Sequence, residues 1–97
     1  MKLNAYSVFD NKALAYNVPF FVSTDGAAVR MFADLANDAQ SAISRHPGDY
    51  ILYRVGSYDD QTGGITAEDP KAHVADAISL VKLEPTPLFD NVQQRRA

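Results

Sequence analysis

Apolar residues recur at three- and four-residue spacing from Ala28 through Phe32, Leu35, Ala39 and Ala42 to Ile43, while Arg30, Asp34, Asn37, Ser41 and Ser44 fall on the opposite side. That period predicts one long amphipathic helix over about residues 25–45. Ahead of it, Ser23-Thr24-Asp25 offers side-chain oxygens to the free amides of a first helical turn, and Asp25 also suits the positive end of the helix dipole. His46-Pro47-Gly48 closes the helix, because proline cannot continue it and Pro-Gly presets a tight turn.

The rest of the chain alternates with the two-residue period of strands. Residues 3–9 place Leu3, Ala5, Ser7 and Phe9 on one face and Asn4, Tyr6 and Val8 on the other, and Asp10-Asn11-Lys12 turns the chain. Pro19-Phe20-Phe21-Val22 reads as a short strand or an ordered lead-in to the helix. Asp49 to Tyr58 is the strongest strand, with Ile51, Tyr53 and Val55 expected on one face and Tyr50, Leu52, Arg54 and Tyr58 on the other. Asp59 to Gly64 forms a hairpin loop and Ile65-Thr66-Ala67 starts the returning strand. Glu68-Asp69-Pro70 followed by Val74, Ile78 and Val81 suggests a second helix start, although Ala72 to Leu83 also suits an irregular or extended segment. The fold class expected from this pattern is α+β, a small antiparallel sheet of three to four strands with one long helix packed on one face. Residues 1–84 make the domain, and Pro85-Thr86-Pro87 sets off residues 85–97 as a C-terminal tail.

Composition narrows the function more than it identifies it. A chain of 97 residues forms one modest core with little margin, which makes self-association, most simply a two-fold homodimer, an expectation. Without cysteine there is neither a disulfide framework nor a thiolate site, which fits a reducing compartment. No apolar run reaches the length of a signal peptide or a membrane span, so the reading is a soluble cytoplasmic protein. The net charge of −3 opposes bulk electrostatic coating of nucleic acid and leaves a local patch as the route to it.

Candidate chemistry is sparse. Asp59, Asp60, Glu68 and Asp69 are the densest carboxylates, but their spacing matches no ion-binding loop and acidic residues are ordinary in such turns. His46 and His73 are isolated beside element boundaries, so neither a metal nor a base is assigned to them. No activated nucleophile, acid–base pair or cofactor loop is recognisable, and the expectation is a nonenzymatic protein without cofactor. Tyr50, Arg54 and Tyr58, taken as sharing one face of the main strand, are the candidate contacts to single-stranded nucleic acid, rings for bases and a guanidinium for the backbone. The competing reading is an ordinary amphipathic strand, favoured by Leu52 between them. In the tail, Leu88, Phe89 and Val92 beside Arg95 and Arg96 form an apolar-then-basic segment that either docks on a protein partner or is a disordered end.

Tyr6-Ser-Val-Phe-Asp10, Lys12, Pro19-Phe20, Ala28-Val-Arg-Met-Phe32, Pro47-Gly-Asp-Tyr50, Gly56 and Asp59-Asp-Gln-Thr-Gly63 together resemble the small nonstructural protein of gokushovirus-type microviruses. The likeness runs over about residues 4–65 and fades beyond Ile65. It implies a bacteriophage protein of the host bacterial cytoplasm, acting in single-stranded DNA genome synthesis or packaging by binding single-stranded DNA or the replication and capsid proteins. It brings no catalytic residue. The alternative function is a protein–protein interaction module that engages host or phage proteins without contacting DNA.

Overall fold

In the computed structural model residues 1–82 are described. The order is β1 (Lys2–Asp10), β2 (Ala15–Tyr16), β3 (Phe20–Val22), α1 (Asp25–Ala36), α2 (Ala42–Arg45), β4 (Tyr50–Asp59) and β5 (Gly64–Asp76), with short 3-10 turns at Pro47–Asp49 and Ala77–Ser79. All pairings are antiparallel, in the order β2-β1-β4-β5, and β3 follows β2 along the same edge of β1. Between β2 and β3 the chain stays on that edge, since Asn17 donates to the Val8 carbonyl at 2.8 Å and Ser7 Oγ to the Asn17 carbonyl at 2.6 Å. Proline at position 19 cannot donate to the ladder, which accounts for the gap.

The expected small sheet under one long helix is overturned. The described chain is mostly β, 45% strand against 27% helical, and its five strands curl into an antiparallel half-barrel. Two local causes explain the difference. First, the helix stops at Ala36. The Asn37 side chain donates to the carbonyls of Ala33 (2.8 Å) and Leu80 (2.9 Å) and accepts from the amide of Lys82 (2.7 Å), so it holds the returning chain. Asp38 then accepts from the Gln40 amide, and Ser41 caps the separate four-residue α2 through the amide of Ile43. The start of α1 is as expected, with Thr24 Oγ1 accepting from the Ala27 amide at 3.1 Å.

Second, residues 68–76 are extended. Residues 72–76 are the remaining partners for β4, opposite Arg54 to Ile51, and pairing satisfies backbone groups that a helix there would leave open. The register breaks between these pairs: Arg54 lies opposite Ala72 and Gly56 opposite Ala67, so Glu68 to Lys71 bulge out against Val55. Gly56 is required at this crossing, because a Cβ there would lie 2.4 Å from the Thr66 carbonyl oxygen.

The core lies between α1 and one face of the sheet, around Tyr6, Val8, Ala28, Phe32, Ala36, Ile43, Leu52 and Ala77. Leu35, expected on the buried face, is 43% exposed, and Ala36 takes the buried position.

Candidate functional site

The bulge at Val55 decides what each face of the sheet offers. On β1, Tyr6 and Val8 face the helix, whereas Ala5 and Ser7 face away. Arg54 pairs with Tyr6, while Gly56 pairs with Ala5 and Tyr58 with Leu3. Cross-strand partners share a face, so one extra residue sends Arg54 to the helix side and Tyr58 to the open side.

On the helix side the Arg54 guanidinium is held by two carboxylates. Its Nε and Nη2 donate to the two oxygens of Glu68 at 2.7 and 3.0 Å, and its Nη1 donates to Asp25 at 2.9 and 3.1 Å. The Tyr6 hydroxyl also donates to Asp25 and accepts from Asn4 Nδ2 at 3.0 Å. These bonds join the start of α1, the β5 bulge and the middle of the sheet. The Tyr6 bond, followed by the Arg54 guanidinium, holds the Asp25 carboxyl below its ordinary range, and Arg54 does the same to Glu68. Glu68 and then Asp25 raise the Arg54 pKa further, while burial and then the bond to Asp25 raise the Tyr6 phenol. A guanidinium so engaged has its charge offset twice over and is an internal tie between elements.

The open face carries rings. Phe9, Tyr16 and Tyr53 form one cluster, with centroids 4.8 Å apart for Phe9–Tyr16 and 5.9 Å for Tyr16–Tyr53. His73 meets the edge of Tyr53 at 6.0 Å, and Lys71 Nζ stands 5.7 Å over the Tyr16 ring. Phe21 and Tyr58 form a second pair at 5.6 Å. Tyr16 is 45% and Phe21 39% exposed, and Ile65, opposite Tyr58, is exposed beside them. Among residues that the register puts on this face, Asp76 is the carboxylate, and its Oδ1 lies 2.9 Å from His73 Nε2.

The three residues expected to act together are therefore separated. Tyr50 packs against the core, Arg54 is tied to Asp25 and Glu68, and Tyr58 stands on the open face. Sequence alternation missed Tyr16, Phe21 and Tyr53 as their companions. The signal was present in Phe9 and Phe21, which alternate with the core residue Val8 and with Phe20, half-buried against the core, but not in β4, whose bulge cannot be read from its residues. Leu88, Phe89, Val92, Arg95 and Arg96 lie outside the described residues. Among the described residues no three histidine, aspartate or glutamate side chains gather as a metal set, and no helix is long and apolar enough to cross a membrane. An open cleft of about 520 Å³ along α1, lined by Arg30, Ala33, Asp34, Asn37 and Lys82, is separate from the ring face.

Among known proteins, the family described as Phage ORF5 protein matches residues 3–80, which take in every strand and helix of the described residues except the first residue of β1, Lys2. No curated protein and no solved structure matches the chain.

Proposed function

Because the chain belongs to the Phage ORF5 protein family, we propose that it is a nonenzymatic phage accessory protein that binds single-stranded DNA on the open face of its sheet. The resemblance to gokushovirus-type microviruses supports reading that activity as part of single-stranded genome synthesis or packaging in the cytoplasm of a bacterial host. The observation that carries the reading is the group of rings on this face, the exposed Tyr16 and Phe21 against the half-buried Tyr53 and Tyr58, with Lys71 over one of them. Rings stack on unpaired bases whatever their sequence, at about 1–3 kcal/mol per base, and a cation beside them meets the phosphates. Arg54 takes no part in this contact, since its donors face Asp25 and Glu68. Binding is moderate and salt-sensitive, as a chain of net charge −3 offers few phosphate contacts.

Titration of labelled single-stranded and duplex oligonucleotides at low and moderate salt tests this. Preferential binding of single strands is expected, and absence of binding to any oligonucleotide at low salt would remove the reading. A second reading, docking on replication or capsid proteins or on a second copy of the chain, is favoured by Val18 and Leu14, 88% and 73% exposed on the segment around β2. Light scattering across a wide dilution range tests the homodimer, for which a constant monomer mass would be the contrary result.

A further inference from the structure

We propose that the open face is a ladder of four stacking positions that accepts an unstacked single strand laid along β1, with its phosphates entering beside Lys71. This rests on the single-strand reading above and specifies the form and length of the ligand.

The register fixes the rungs. Tyr16 stands opposite Phe9, Tyr53 opposite Ser7, Phe21 opposite Ala5 and Tyr58 opposite Leu3. The rings thus follow β1 at every second residue, contributed alternately from the β2–β3 edge and from β4. Ring centroids of successive rungs lie 5.9 Å apart for Tyr16–Tyr53 and 5.6 Å apart for Phe21–Tyr58, and at an antiparallel rise of about 3.4 Å per residue the four positions cover about 20 Å of β1. Bases stacked on one another, as in a duplex, repeat at about 3.4 Å along the axis, so neighbouring bases meet neighbouring rungs only when they are drawn apart. That geometry selects against duplex and for an extended strand.

Two further features suit the same occupant. Ala5 and Ser7, the small residues beneath the middle rungs, are each 3% exposed, so the rings roof the strand and present a surface of their own. The Tyr16 end carries the Lys71 ammonium over the ring and, next to it, the Asp76 carboxylate, whose Oδ1 lies 2.9 Å from His73 Nε2. An anionic polymer with spaced rings fits both, and an apolar peptide would leave the cation without a partner.

The test is fluorescence anisotropy with labelled thymidine di-, tetra- and octanucleotides and an abasic octanucleotide of equal charge, using the full chain. Affinity should rise about tenfold or more from dimer to tetramer as further rungs engage, then gain little to the octamer. Tyr16→Ala and Tyr58→Ala, at opposite ends of the ladder, should each weaken octamer binding about tenfold. Equal affinity for dimer and octamer, or for the abasic and normal octamers, would overturn the ladder while leaving single-strand binding in place. No binding of any oligomer would overturn both, and the protein-docking reading would then stand.

Discussion

The two faces of β1 and β4 differ in how completely their side chains are already partnered. On the helix side, Tyr6, Val8 and Leu52 are closed over by Phe32 and its neighbours, and Arg54 has a carboxylate on each side. On the open side the rings touch one another, but Tyr16 and Phe21 still meet solvent. A charged residue is not a binding residue merely because a strand carries it; what its donors already hold decides that. In this chain the conspicuous cation is structural, and the less conspicuous tyrosines and phenylalanines are the free surface.

The largest expected effect breaks the closed face. Phe32→Ala should destabilise by about 3–5 kcal/mol in urea unfolding, because the ring is 1% exposed and its removal leaves a cavity between α1 and the sheet. Next comes the crossing that separates the faces. Gly56→Ala places a methyl against the Thr66 carbonyl and should destabilise by about 1–3 kcal/mol. Gly48→Ala, where nothing lies within 4 Å of the new methyl, should differ little from wild type in the same assay.

A smaller effect separates the structural cation from a binding one. Asp25 and Glu68 have lower pKa values folded than unfolded, so their contribution is complete above the ordinary values of 3.8 and 4.5. It is lost as pH falls through the depressed values. Arg54→Met removes the guanidinium that holds Glu68 low and part of what holds Asp25 low, so the urea midpoint should fall less between pH 6 and pH 3 than in wild type. The variant should start from a lower midpoint at pH 6. An unchanged pH response would show that the ion pairs do not form in solution. Smallest is Tyr58→Ala on the open face, which loses its contact with Phe21 but leaves the core intact, and should cost about 1 kcal/mol or less. A loss as large as that for Phe32→Ala would mean that the open face is covered.

Much of this was legible in the chain, and the failures have local causes. The faces of β1, the cap at Thr24, the turn at Pro47 and the Asp59–Gly64 loop follow from short-range chemistry and appear as expected. Ala39, Ala42 and Ile43 keep the helical period and predict a longer helix, while the break depends on the Asn37 side chain binding Leu80 and Lys82, contacts more than 40 residues away in the chain. Pro70 resembled a helix start, yet pairing of residues 72–76 with β4 outweighed it. The candidate site was half legible for one reason. Alternation puts Arg54 and Tyr58 on one face and the structure puts them on opposite faces, because a bulge that shifts register by one residue reverses every side chain beyond it.

The most direct measurement is an NMR titration of isotope-labelled protein with a thymidine octanucleotide, followed at the aromatic ring and arginine side-chain resonances. Ring signals of Tyr16, Phe21, Tyr53 and Tyr58 should move together with the ligand, while the Arg54 Nε signal stays in place. Movement centred on Arg54 and Glu68, with the four rings unaffected, would contradict the assignment of binding to the open face and return it to the helix side of the sheet.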